Sequence, residues 1–196
     1  HMFQTNLRVP LIMSWPRKLP KAARVGALVE SVDIVPTVAE LLGLVAPHEA
    51  RADERGRSYG TLDGASLVAL ARGESAAAKP YSFAENGVEM SVQDLEWKLI
   101  VSTEGALEGR TPAQLATDKL VPRLFDLVRD PGEVRNAFTP EHEQVARLLR
   151  VLQQWDATLP IPITDVIMSE RDKQQLRKRL DDLGYFGGVG DKRKPQ

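Results

Sequence analysis

The chain has 196 residues, a formal net charge of −1, 42% hydrophobic and 27% charged residues, and no cysteine. This is the balance of a globular protein with one large or two small domains, and it gives no electrostatic case for nucleic acid or an anionic membrane as a partner. The absence of cysteine excludes disulfides, thiolate zinc sites and thiol nucleophiles, and leaves the redox compartment open.

In chain order, His1-Met2 reads as a remnant of tag removal. The run VPLIM (residues 9–13) is continuously apolar, with Pro10 near its start where a lost N–H matters least. Such runs belong to strands buried on both faces, and such a strand needs a neighbour on each side. ESVDIVPTVAELLGL (residues 30–44) predicts a helix. Ser31 is the expected N-cap, Asp33 favours the N-terminal dipole, and Pro36 falls in or near the first turn. Val35, Val38, Ala39 and Leu42 share one face, which Ile34 and Leu41 widen, and Gly43 supplies the stop. Residues 46–64 are polar and glycine-containing, a surface loop by composition. A short helix ending at Gly73 and a connector over 74–80 follow.

The period then changes to that of strands. YSFAE (81–85), VEMSVQ (88–93), EWKLIVS (96–102) and PRLFDLV (122–128) predict four strands. Short turns between the first three imply an antiparallel meander, and a loop of low hydrophobicity spans 103–119. RDPGE (129–133) predicts a type II turn centred on Pro131 and Gly132. TPEHEQVARLLRVLQQWDATL (139–159) predicts a helix with Thr139 as N-cap and Pro140 at N1. Its apolar stripe of Val145, Leu148, Leu149, Leu152 and Trp155 is expected to pack across the meander. Residues 159–165 read as extended. A last helix runs from Ser169, with Asp172 in a capping box, to Gly184, and a disordered tail covers 190–196. There is no internal repeat. No apolar run approaches the length that spans a bilayer, and no charged stretch leads an apolar one as in a secretory leader, so localisation is left unassigned.

Four groups of residues carry candidate chemistry. Asp126, Asp130 and Glu133 form a carboxylate cluster, but calcium loops supply six to eight oxygens at about every second residue, and a strand–turn with solvated charges is the better reading. Glu85 and Asn86 follow a strand end, where a carboxylate and an amide line pockets; Asn-Gly is also a common turn. His48 lies in a polar loop and His142 in a first helical turn, and neither has a second histidine at metal-ligand spacing. Trp97 and Lys98 read as an aromatic packed in the sheet beside a strand-end charge. No G-x-S-x-G elbow, dinucleotide fingerprint or phosphate loop occurs, and YFGGVG follows a helix rather than a strand. On its residues alone the chain holds no complete active site, so catalytic and metal residues are both read as none.

Four stretches in this order carry a family resemblance: LRVPLIMSWP, ESVDIVPTVAELLGL, LDGASLVALARGE, and EWKLI followed by RLFDLVRDPGEVRNA. Together they resemble the C-terminal half of a type I sulfatase, of the alkaline-phosphatase-like superfamily, from Leu7 to about Trp155. DPGE after an LFDL strand is the most specific element, and LRKRLDDLGYFGG is similar to the tails of bacterial members.

The resemblance implies an α/β fold. Residues 3–78 would be the end of the large mixed sheet with its helices. Residues 79–160 would be a small antiparallel four-stranded sheet packed by a C-terminal helix, and 161–196 an extension with a helix and tail. It implies that the neighbours of the VPLIM strand lie in an N-terminal half that precedes this chain. It also implies the chemistry of sulfuric ester hydrolysis, with a formylglycine nucleophile made from a cysteine and a calcium ion that polarises the sulfate. No position here matches the family's nucleophile or metal motifs, so this chain alone is expected to be inactive, with a structural role and with Glu85 and Asn86 at the pocket rim. The expected partners are the N-terminal half, a sulfate ester in the whole enzyme, and a second copy if the exposed first strand finds one. Two other readings stand beside it: a non-catalytic binding or scaffold domain derived from a sulfatase, and a fragment of a related phosphatase or phosphotransferase.

Overall fold

The computed structural model describes residues 2–44, 51–52, 58–59, 63–74, 79–103, 107–159 and 178–179. The chain divides into two units, His1–Thr158 and Leu159–Gln196, and every element named here belongs to the first. The expected helix from Ser169 to Gly184 lies outside the described residues but for Lys178 and Arg179, as do the tail and His48.

The centre of the unit is a four-stranded antiparallel sheet whose strands follow chain order. They are β3 (Ser82–Glu85), β4 (Glu89–Gln93), β5 (Trp97–Ser102) and β6 (Arg123–Asp126), numbered after a two-residue pair described below. The expected meander is therefore present: β4 alternates polar and apolar residues, β5 and β6 carry the apolar runs of strands covered on both faces, and each early turn is short. Phe83 pairs with Val92, Val92 with Leu99 and Leu99 with Leu124, so these four line one face. Helix α5 (Glu143–Asp156) packs on it with Val145, Leu148, Leu149 and Leu152, all buried. Each such side chain contributes about 1.5–3 kcal/mol. The Trp155 ring stacks on Phe83 at 4.8 Å between centroids.

The alternation assigns Glu89, Ser91, Lys98, Ile100, Arg123 and Phe125 to the opposite face, which its polar content would leave wet. The structure covers it. Met2 packs with Ile100 and Phe125, and Phe3 and Leu7 flank them. Phe3 and Leu7 bracket a one-turn helix, α1 (Gln4–Leu7).

Several local expectations are corrected. Residues 9–13 pair with no strand among the described residues, and Val9 and Ile12 stand 71% and 88% exposed. A strand is held by its ladder and by neighbours on its faces rather than by intrinsic preference, and none of the described strands reaches this run. Ser31 is not a cap: a 3₁₀ turn over Ser31–Asp33 is capped by Glu30, whose carboxylate and that of Asp33 form a reciprocal box. Helix α2 (Ile34–Leu42) follows and ends at Gly43, in the left-handed conformation (φ 72°), as expected. Its expected apolar face is largely exposed rather than buried. The loop over 46–64 contains a two-residue antiparallel pair, β1 (Arg51–Ala52) with β2 (Ser58–Tyr59). Helix α3 (Val68–Arg72) stops at Gly73, and a further short helix, α4 (Pro112–Leu115), lies in the loop expected over 103–119.

Thr139 does not cap α5. The His142 N–H donates to the Thr139 carbonyl to close a turn, and His142 is the N-cap, its Nδ1 accepting from the Gln144 N–H at 3.2 Å. The 129–133 turn is not type II, because Gly132 does not take positive φ; the left-handed residue is Glu133, at φ 53°.

Candidate functional site

The covered face of the sheet holds the charged groups. Lys98 Nζ lies 2.8 Å from Glu133 Oε1, with both side chains essentially inaccessible. Glu133 Oε2 accepts the backbone N–H of Gln4, so the acid joins β5, the turn after β6 and the N-terminal segment. A non-glycine residue at positive φ is strained by roughly 1–2 kcal/mol. Here the left-handed backbone accompanies an inward carboxylate opposite a buried ammonium. Burial pushes the Lys98 ammonium below its ordinary pKa, and the Glu133 carboxylate opposes that shift.

Beside this pair Arg123 forms an ion pair with the buried Glu89, and its guanidinium lies 5.0 Å over the Phe3 ring. Burial pulls Arg123 below its ordinary value, with Glu133 acting against it. Phe3, Phe125, Arg123, Glu89, Glu133 and Asn136 border a concavity of about 320 Å³. Asn136 builds its wall rather than addressing a ligand: Oδ1 accepts from Leu124 and Phe138 N–H groups, and Nδ2 donates to the Pro122 carbonyl. The concavity thus has apolar walls with its charges already paired. It offers a surface for binding or packing, and none of its acids is placed as a general base or nucleophile.

The other residues singled out in the sequence fall as follows. Glu85 is exposed at the end of β3. Asn86 is exposed beside it, and its Oδ1 accepts from the N–H groups of Val88 and Glu89 to shape the β3–β4 turn. Asp126 and Asp130 accept backbone N–H groups of the following turn, Asp126 from Val128 and Arg129, Asp130 from Val134 and Arg135. The Asp130 carboxyl is held below its ordinary value by those bonds. Glu133 departs from the expected solvated cluster by turning inward. Lys98 departs further: it is a fully buried ion-pair partner, not a strand-end charge. The available signal was a lysine within an apolar strand; its partner lies 35 residues on, at a distance no local pattern reveals. Trp97 meets the His142 ring at 5.0 Å.

Among the described residues the donor set does not fit a calcium ion. The buried carboxylates Asp33, Glu89 and Glu133 are each matched to a cation, to Lys79, Arg123 and Lys98, and the half-buried Asp118 to Arg110. Among the described residues no three His, Asp or Glu converge on one point. No described helix is long and apolar enough to cross a membrane.

No protein-family model matches the chain. Among curated proteins it is 29% identical to human Arylsulfatase D over 185 residues, which is 82% of this chain and 29% of that protein. It is also 29% identical to bovine Arylsulfatase A over 178 residues, 80% of this chain and 32% of that protein. Among solved structures it superposes on BT33336S-sulf, from work on the metabolism of multiple glycosaminoglycans by Bacteroides thetaiotaomicron. That match has a TM-score of 0.51 and 26% identity, over 73% of this chain and 28% of the other. The chain therefore spans about a third or less of the length of the proteins it matches.

Proposed function

We infer that this chain, a member of the sulfatase family, is the C-terminal portion of a sulfuric ester hydrolase. The observation that carries this reading is the pairing of two coverages: similarity to sulfatases extends over 80% or more of this chain, yet takes in only 29% and 32% of the relatives. The family's formylglycine and calcium belong, in this reading, to the uncovered portion. This sequence has no cysteine to convert, and its buried carboxylates Asp33, Glu89 and Glu133 are matched to cations. The role of the chain is then structural, with residues 3–78 completing a large sheet-and-helix domain, 79–160 forming the small sheet and its helix, and 161–196 an extension.

Glu85 and Asn86 are proposed to border the substrate pocket of the whole enzyme. Their exposure at one end of the meander supports this, since strand-end residues on a rigid sheet are well placed to meet a ligand. The test joins the chain to the sulfatase sequence encoded upstream and follows hydrolysis of a chromogenic aryl sulfate. Turnover is expected from the joined protein and not from this chain alone. In the joined protein Glu85→Gln is expected to raise KM a few-fold with kcat little changed, the pattern of lost binding rather than lost chemistry. Turnover by the isolated chain above a matched blank would overturn the assignment of the chemistry. An upstream sequence with no Cys-x-Pro-Ser-Arg segment would overturn the catalytic parentage and favour the scaffold reading.

A further inference from the structure

The chain has three asparagines, Asn6, Asn86 and Asn136, and only Asn86 is followed by glycine. An asparagine carries an electrophile, its side-chain carbon Cγ, close to a nucleophile, the main-chain nitrogen of the next residue. Their reaction depends on whether that nitrogen is free, on what holds the side-chain oxygen, and on the bulk of the following residue. The fold sets these conditions differently at the three positions.

At Asn6 and Asn136 the following nitrogen is committed: the Leu7 N–H donates to the Phe3 carbonyl and the Ala137 N–H to the Leu124 carbonyl. Asn136 also has its Nδ2 tied to the Pro122 carbonyl. At Asn86 the Gly87 N–H donates to no acceptor among the described residues. Asn86 and Gly87 are both exposed, and open space surrounds the place where a Gly87 Cβ would stand, so water reaches the turn. Asn86 Oδ1 accepts from the N–H groups of Val88 and Glu89 at 3.0 and 2.9 Å. Two N–H donors on one carbonyl oxygen act as an oxyanion hole does, holding the negative charge that develops when the carbon is attacked. The turn around them is pinned from β5. Thr103 donates from Oγ1 to the Gly87 carbonyl and from its N–H to the Val88 carbonyl, both at 2.9 Å.

We propose that Asn86-Gly87 is a site of self-modification, at which the folded chain loses the Asn86 amide. Base removes the Gly87 N–H proton, the nitrogen bonds to Asn86 Cγ, and the carbonyl electron pair moves onto Oδ1. Its return expels Nδ2, which takes a proton from water and leaves as ammonia, and a cyclic imide remains. Water then adds to one imide carbonyl and opens the ring, giving aspartate at one carbonyl and β-linked isoaspartate at the other. One water is consumed and one ammonia released, with no oxidant or reductant. Aspartate keeps the turn, since its carboxylate accepts the same two N–H groups. Isoaspartate routes the main chain through the side-chain carbon and lengthens it by a methylene, in a hairpin whose register, Glu85 opposite Met90, the turn sets. Either product adds a carboxylate beside Glu85. Resting on the reading of Glu85 and Asn86 as a pocket rim, that charge repels a sulfate ester and weakens substrate binding as the protein ages.

The test holds the folded chain in mildly alkaline, heavy-oxygen water and maps its peptides by mass spectrometry. The Asn86 peptide is expected to gain the label and to become a substrate for isoaspartyl methyltransferase, while the Asn6 and Asn136 peptides stay unchanged. The chain unfolded in urea supplies the rate without the fold. Folded chain is expected to convert Asn86 at least as fast, and a slower folded rate would overturn the proposal. Equal labelling of all three asparagines in the folded chain would overturn it too. Gly87→Ala, which sets a methyl group beside the attacking nitrogen, is expected to suppress the label; labelling at the wild-type rate would show that this nitrogen is not the nucleophile. In the joined protein, KM for the aryl sulfate is expected to rise as label accumulates. Label with an unchanged KM would remove the rim reading and leave the modification standing.

Discussion

Lys98 and Glu133 show how much a single position depends on its partner. Lys98→Met leaves the Glu133 carboxylate buried and unpaired, and the unit is expected to lose about 3–5 kcal/mol in urea unfolding. Lys98→Met/Glu133→Gln is expected to recover a measurable part of that loss, because the stranded charge goes with its partner. Two glycines, Gly132 and Gly64, should part company. Gly132→Ala meets only Val134 at 3.5 Å and takes no positive φ, so its melting temperature should barely move. Gly64→Ala collides with the Val32 backbone and should destabilise clearly in the same measurement. Neither contrast is visible in the sequence, where Gly132 sits in the more familiar turn motif and Lys98 looks like a charge at a strand end. Both answers depend on residues far away along the chain.

Whole elements were legible wherever the signal was local. The four strands of the meander follow from short apolar or alternating runs bounded by turn residues, and Gly43 and Gly73 end their helices as glycines do. The body of α5 follows from its stripe, and Leu148→Ala there is expected to cost about 2–5 kcal/mol. Its start was misplaced because two capping schemes compete within four residues, and the closed turn from Thr139 leaves His142 to do the capping. His142→Ala should therefore cost about 1 kcal/mol and Thr139→Ala less than about 0.5, the reverse of the order that sequence suggests. Helix α2 was recognised, yet its orientation was not, since a hydrophobic stripe says which residues group together and not which body they face. The run at 9–13 was read as a strand on composition; what it lacks is a ladder, and that is a property of other chain segments. Of the residues singled out, Asn86 was legible as a turn former, while its place with Glu85 at a pocket rim is a proposal drawn from strand-end position and family resemblance; the buried ion pairs join elements that only folding brings together.

Over the molecule as a whole, stability should fall in acid. For Asp33, burial raises the carboxyl, but Lys79 and the N–H groups of Ala65 and Glu30 outweigh it and the folded value lies below the ordinary one. Asp94 follows the same balance, with burial opposed by the N–H groups of Trp97 and Glu96 and by Arg147. A depressed carboxyl contributes stability above its unfolded value and loses it as pH falls through the folded one. The unit is expected to weaken below about pH 4, and Asp33→Asn should flatten that part of the urea-midpoint profile. Lys79 works at the other end: its folded value is raised, so its contribution persists through neutral pH and fades only in strong alkali. The tie between the first residues and the sheet has a different consequence. Glu133 grips Gln4 by its main-chain N–H. Such a grip is indifferent to the side chain at position 4, which can drift over evolutionary time for little more than its hydrogen bond to Gln93, so long as it never becomes proline.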